Sequence, residues 1–361
     1  MSQYFDDVRG QPAALRALVA RLGSEVSPFA EWAGDWRRAG RPPLVLTGMG
    51  ASLFAAEAFE PTLVLAGLQT RAVATSDLVD FEQRIADGAL VVALSQSGES
   101  TEIKELLAQL DPARVHAITN QPDSPLGMRA GSAVNLALPP DRSVAVKTYA
   151  GSVVALAFLA AELLDTPRGA VVEDVDSLAD EIEAELPAWD IAAAEIADTL
   201  RSIRSISFIG WRGGIATARE AALLMKEAAR TPAEGMSAAQ FRHGAVELVD
   251  QHHATFVLVN ATDGVPDEDR IAYVLELRAL PGFLALVGRM PSNARAGDPR
   301  TLRTIERRSP LGSVADMVPL QLLAGHLAER SGFEAGEFRN TTPVIRERPK
   351  GSRRPANVAQ G

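Results

Sequence analysis

Residues Ala93–Ser100 read ALSQSGES, directly after Ala89–Val92 (ALVV) and directly before Thr101–Leu110 (TEIKELLAQL). The apolar run is short and unbroken, the pattern of a strand covered on both faces. The stretch after it has the spacing of a helix. Between them stand Ser95, Gln96, Ser97, Gly98 and Ser100. Hydroxyls placed there meet the unpaired N–H groups and the positive dipole end of the next helix. In open parallel sheets, ligands bind at this carboxyl edge. Together these groups suit a phosphate monoester, with Gly98 allowing close backbone approach. The plainer reading makes Ser100 or Thr101 an N-cap with Glu102 in the first turn. That accounts for one hydroxyl of the group, and from the residues alone both readings stand.

Working outward, strands and helices alternate. PLVLTG, RAVAT, ALVVALS, VHAITN and AVNLALP read as strands. SLFAAEAFEPTLVLAG reads as a helix that Pro61 kinks or breaks, and KTYAGSVVALAFLAAELL as a long buried helix. A second block repeats the layout: ISFIGWRGG at Ile206–Gly214 echoes LVLTGMGAS at Leu44–Ser52. The expectation is an α/β chain of two tandem units, each a parallel sheet between helix layers. The boundaries are a helical segment at 1–38, a first domain at 39–165, a helical acidic linker on the surface at 166–202, a second domain at 203–335 and a tail at 336–361. The end of that tail, RPKGSRRPANVAQG, has the composition of a disordered segment.

With 361 residues, two domains are the natural expectation. The net charge of −10 argues against a duplex-binding role, which needs a positive footprint. It does not argue against one small anion held locally. There are no cysteines, so disulfides, thiolate metal sites and a cysteine nucleophile are excluded. The start has no basic and apolar signal pattern, and Thr148–Leu164 carries Glu162 and is short for a membrane span. A cytoplasmic protein is expected, with no nucleic-acid or membrane partner.

A second group of residues lies in ATAREAALLMKEAAR, Ala216–Arg230. Ala218, Ala221, Ala222, Met225, Ala228 and Ala229 form one stripe at helical spacing. Glu227 lies on the opposite face, one turn from Leu223 and Leu224. The residues alone favour a solvated Glu227 paired with Arg230. A carboxylate flanked by two leucines also suits a base of raised pKa. His243, in SAAQFRHGAVELV, by itself favours a structural role. His252 and His253 are adjacent, cannot both face one site on a strand, and read as surface residues.

SQSGES, with GMGAS before it and VAVKTYAG after it, resembles the sugar isomerase (SIS) domain family over about Leu44–Glu347. The likeness is greatest to the tandem isomerase halves of glucosamine-6-phosphate synthases. Amino-sugar-phosphate deaminases and fructosamine-phosphate deglycases are also similar. The resemblance implies two SIS domains, a sugar phosphate as ligand, and no cofactor or metal. It implies that Ser52, Ser95, Gln96, Ser97 and Ser100 hold the phosphate. It implies Glu227 as the base that moves a proton between C1 and C2, and His243 as the group that opens the sugar ring. It further implies a homodimer with shared sites, in which His243 reaches the neighbouring subunit's sugar. The synthases' glutaminase domain and its cysteine nucleophile have no counterpart here, so isomerisation or deamination is expected without glutamine hydrolysis. The pattern departs at Ala51 (threonine in many members), Leu224 and Thr342 (lysines) and Gln240 (glutamate). The expected function is an isomerase or deaminase of an amino- or amine-linked hexose phosphate. The alternative is a non-catalytic regulatory protein that binds a sugar phosphate.

Overall fold

The computed structural model describes residues 3–24, 27–259, 266–288, 300–305, 307, 310–342 and 344–347. The first sheet has strands β1 (Leu44–Gly48), β2 (Thr70–Ala74), β3 (Leu90–Ser95), β4 (Val115–Thr119) and β5 (Ser132–Asn135), all parallel, in the order β2-β1-β3-β4-β5. The second has β6 (Ser205–Gly210), β7 (Ala233–Ser237), β8 (His253–Leu258), β9 (Phe283–Val287) and β10 (Arg300–Leu302), also parallel, in the order β7-β6-β8-β9-β10. Strand for strand, this is the order of the first. The echo between Leu44–Ser52 and Ile206–Gly214 therefore marks equivalent positions, β1 and β6.

Helices α1 (Gln3–Arg9), α2 (Gln11–Ser24) and α3 (Pro28–Arg38) precede the first sheet. Among its strands lie α4 (Ala51–Leu65), α5 (Thr75–Asp80), α6 (Thr101–Gln109) and α7 (Pro125–Arg129). Next come α8 (Lys147–Leu163) and α9 (Arg168–Thr199), then α10 (Gly213–Ala229), α11 (Ala238–Arg242), α12 (Asp267–Arg278) and α13 (Gly312–Arg330). Helix α4 passes through Pro61 unbroken. Strand β5 stops short of the expected AVNLALP run because the chain turns there. Ala137 adopts φ +49 and donates its N–H to Asn135 Oδ1.

Alternation along each strand divides the core. Leu90, Val92 and Leu94 of β3 face a central core, while Val91 and Ala93 pack beneath α5, α6 and α7. Likewise Phe256 and Leu258 of β8 face the centre, and Val257 packs under α11 and α12. The centre is shared: α2, α4, α8, α9, α10 and α13 fill the space between the two sheets as one continuous apolar cluster. The acidic stretch expected to be a surface linker is largely α9. One side of it is buried in that cluster through Val175, Leu178, Ile182, Trp189 and Ile196. Helix α8 is buried nearly all round, as its sequence suggested. Among the described residues no helix is long and apolar enough to cross a membrane.

The reading of His253 as a surface residue is corrected. It is 1% exposed on β8, with Nδ1 bonded to Ser205 Oγ and Nε2 to Ser207 Oγ on neighbouring β6. Two hydroxyls satisfy the ring, so it can be buried without loss of hydrogen bonds. The tail after Glu347, expected to be disordered, lies outside the described residues.

Candidate active site

Strand β3 ends at Ser95, and α6 begins at Thr101 with Ser100 as its N-cap, accepting from the Ile103 N–H. Gly98 sits at φ +62, and a Cβ there would lie 2.0 Å from Ser124 Oγ, so conformation and space both require glycine. The loop's carbonyls are drawn away from the opening. Gln96 O accepts from the Asn120 N–H, and Gly98 O from the Leu126 N–H. With those acceptors occupied, the hydroxyls of Ser95, Ser97 and Ser100 and the Gln96 amide line a cavity of about 440 Å³.

Helix α4 starts on the same cavity, at Gly50, Ala51 and Ser52. No side chain caps it, and Gly50 has φ +52. Two helix N-termini therefore converge on one space, an arrangement that favours an anion.

The cavity's far wall comes from the other half of the chain. Helix α10 crosses to α4, tied by an Arg219–Glu57 ion pair at 2.7 Å. Leu223 approaches Gly50, and one turn later Glu227 enters the cavity. Arg230, the partner the residues alone suggested, is held elsewhere. It donates to Glu337 O at 2.7 Å and lies 4.1 Å from the centre of the Phe333 ring. Burial pushes the Glu227 carboxyl up from about 4.5 to about 7, and Lys226 offsets only part of that. One face-repeat earlier on α10, Glu220 is fully buried and held well above the usual carboxylate range by burial and by the charge of Glu227. Its Oε2 makes no hydrogen bond.

Six of the seven residues named from the sequence are thus brought together: Ser52, Ser95, Gln96, Ser97, Ser100 and Glu227. His243 is not among the residues lining the cavity. It is the exposed C-cap of α11. The substituted position Leu224 is buried in the core, while Thr342 lines the cavity.

Sequence reasoning missed three parts. Asp141, Arg142 and Thr148 line the cavity, and Asp141 accepts from the N–H groups of Val146, Lys147 and Thr148, fixing the start of α8. An Asp just before a helix was the available signal. Behind it, Lys147 Nζ lies 2.5 Å from Asp7 Oδ1 and 3.7 Å from Asp141 Oδ1, all three side chains buried. Asp7 belongs to α1, far away in sequence, and no local pattern marks it. Finally, Thr341, Thr342, Val344 and Ile345 form a strap along the cavity. It is pinned to α6 by a bond from the Thr101 N–H to Ile345 O and by an Arg346–Glu99 ion pair at 2.5 Å.

Residues 40–161 match the SIS domain family. A glutamine–fructose-6-phosphate aminotransferase (isomerizing) of Thermococcus kodakarensis is 31% identical over 74% of this chain and 45% of its own length. The chain spans about half the length of the curated relatives it matches. Two solved structures share the fold at 20% identity and a TM-score of 0.80. One is the C-terminal domain of glucosamine-fructose-6-phosphate aminotransferase from Francisella tularensis, covering 92% of this chain and 97% of that one. The other is a tagatose-6-phosphate ketose/aldose isomerase from Escherichia coli, covering 95% of each.

Proposed function

Residues 40–161 are an SIS domain, and we propose that the chain is two such domains in tandem that bind one sugar phosphate and move a proton between its C1 and C2. The observation that carries this is the meeting of the serine cluster and Glu227 in one cavity, with the carboxyl poised near pH 7. The topological match of the two sheets supports the tandem reading.

The phosphate is held by Ser52, Ser95, Gln96, Ser97 and Ser100, with the N-terminal N–H groups of α4 and α6 supplying further positive potential. Hydroxyl donors bind the dianion without a buried cation to neutralise it. The other end of an open-chain sugar then faces Glu227. Its carboxylate takes the proton from one carbon, giving an enediol, or an enolamine when the substituent is an amine, and returns it to the neighbour. A base poised near the working pH is present in its basic form and still passes the proton on readily. The substrate class is an amino- or amine-linked hexose phosphate, with ammonia or amine release as the deaminating outcome. His243 protonates the ring oxygen of the sugar bound by a second copy of the chain. Its exposure, away from the cavity of its own chain, favours that arrangement.

Proton NMR in deuterated water tests the reading, with fructose-6-phosphate and glucosamine-6-phosphate as substrates. Deuterium entering at C1 or C2 with the protein, and not with Glu227→Gln, is the expected result. Binding without exchange would leave a sugar-phosphate-binding protein. No binding of either compound refutes the reading.

A further inference from the structure

The charges around the serine-lined cavity do not balance for a dianionic ligand. Three carboxyls line it, Glu102, Asp141 and Glu227. Asp141 is compensated. It accepts from the N–H groups of Val146, Lys147 and Thr148 and from the Thr148 hydroxyl, and Lys147 Nζ lies 3.7 Å away. Glu227 keeps its proton up to about pH 7. Glu102, in the first turn of α6, is paired with no cation among the described residues. Each helix N-terminus contributes the equivalent of about half a positive charge. Those of α4 and α6 together therefore offset Glu102 and leave a phosphate dianion without a counter-charge. Among the described residues one cationic side chain lines the cavity, Arg142. Its backbone is braced from two sides. The Arg142 N–H donates to Asp7 Oδ2 at 3.0 Å, and Asp7 is paired with buried Lys147. Four residues earlier, Leu138 exchanges two hydrogen bonds with the Asn120 side chain, and the Asn120 N–H donates to Gln96 O in the serine loop. The Arg142 side chain itself is exposed and forms no ion pair with any described residue.

We propose that Arg142 pairs with the phosphate of the bound sugar from the solvent side of the cavity, supplying the counter-charge that the serine cluster lacks. The inference rests on the reading of the site given above, because it needs the phosphate at that cluster. The backbone under Arg142 is fixed before the ligand arrives, so only side-chain rotamers have to settle when the pair forms. A guanidinium offers two parallel N–H groups to two phosphate oxygens. The division of labour follows from the chemistry. Hydroxyls and helix N-termini recognise any tetrahedral anion of the right size, whereas the strength of the Arg142 contact depends on how much charge that anion carries. Arg142 thereby makes the site favour a phosphate dianion over a singly charged ester of the same shape.

Calorimetric titration of the full chain at pH 8 with fructose-6-phosphate and with fructose-6-sulfate, its singly charged counterpart, tests this. Arg142→Gln is expected to weaken fructose-6-phosphate binding at least about fivefold, between the effect of an exposed ion pair and that of a hydrogen bond to a charged group. The same substitution should weaken the sulfate ester by a clearly smaller factor. Arg142→Lys, which keeps the charge and loses the fork, should fall between wild type and Arg142→Gln for the phosphate ester. A merely structural role for Arg142 would lower both affinities by one factor. Equal losses for the two esters, or no loss with Arg142→Gln, overturn the inference while the phosphate site stands. Failure of the wild-type chain to bind either ester overturns both.

Discussion

Glu227→Gln should stabilise the protein, and the gain should depend on pH. The carboxyl titrates near 7 in the folded chain against about 4.5 when solvated. The native state therefore holds the proton more tightly than the unfolded chain. Relative to a neutral group, Glu227 costs nothing below about pH 4.5, and its cost is complete above about pH 7. At about 1.36 kcal/mol per pH unit, the cost grows by roughly 2.5 kcal/mol between pH 5 and pH 8.5. Partial access to solvent lowers this to about 1–2.5 kcal/mol. Glu220, whose own carboxyl is raised further by the charge of Glu227, adds to the gain in the same direction. For a chain of this length the change in Tm is about 2–5 °C. Differential scanning calorimetry of both proteins from pH 5 to 8.5 reads it directly. The curves should lie close together at pH 5, part steadily up to about pH 7 and run parallel above about pH 8. Proton exchange into substrate by the wild type should rise over the same interval and level off above it. A Tm difference that stays constant with pH would refute the assignment of the raised pKa to this carboxyl, and with it the reason for choosing Glu227 as the base.

Ser97→Ala should weaken fructose-6-phosphate binding by about 1–3 kcal/mol, the loss of a hydrogen bond to a charged group, measured by calorimetry. Unchanged affinity would reduce the cluster to a helix cap. Lys147→Met leaves Asp7 and Asp141 buried without their cation and should cost about 3–5 kcal/mol in urea unfolding. Lys147→Met combined with Asp7→Asn should recover a large part of that, and strict additivity would show that the pair is not coupled. Glu227→Gln and His243→Asn, unfolded and refolded together, should regain up to about a quarter of wild-type activity. Random pairing in a two-fold dimer gives half the molecules one intact site each. Background activity from a mixture whose dimers are verified would assign both residues to one chain's site.

The alternation of strands and helices, the doubled layout and the serine cluster were legible in the sequence because each is local. A strand's period, a glycine turn and a helix start are set within a few residues, and ALSQSGES holds all of them. The residues alone misjudged Glu227, because spacing along α10 shows only which face it occupies. That face meets the first half's cavity because the two sheets share one core and α10 lies across α4, while Phe333 and Glu337 draw Arg230 away. His253 looked like surface because the two serines that satisfy it lie on a different strand. Asp7 behind Lys147, and the strap over the cavity, join parts of the chain hundreds of residues apart or nearly so. Such contacts depend on burial, and burial is a property of the assembled core. The sequence by itself determined the elements and the cluster of hydroxyls proposed to hold a phosphate. Which carboxylate faces that cluster, and how far its proton affinity is shifted, was decided only when the two halves packed together and excluded water from it.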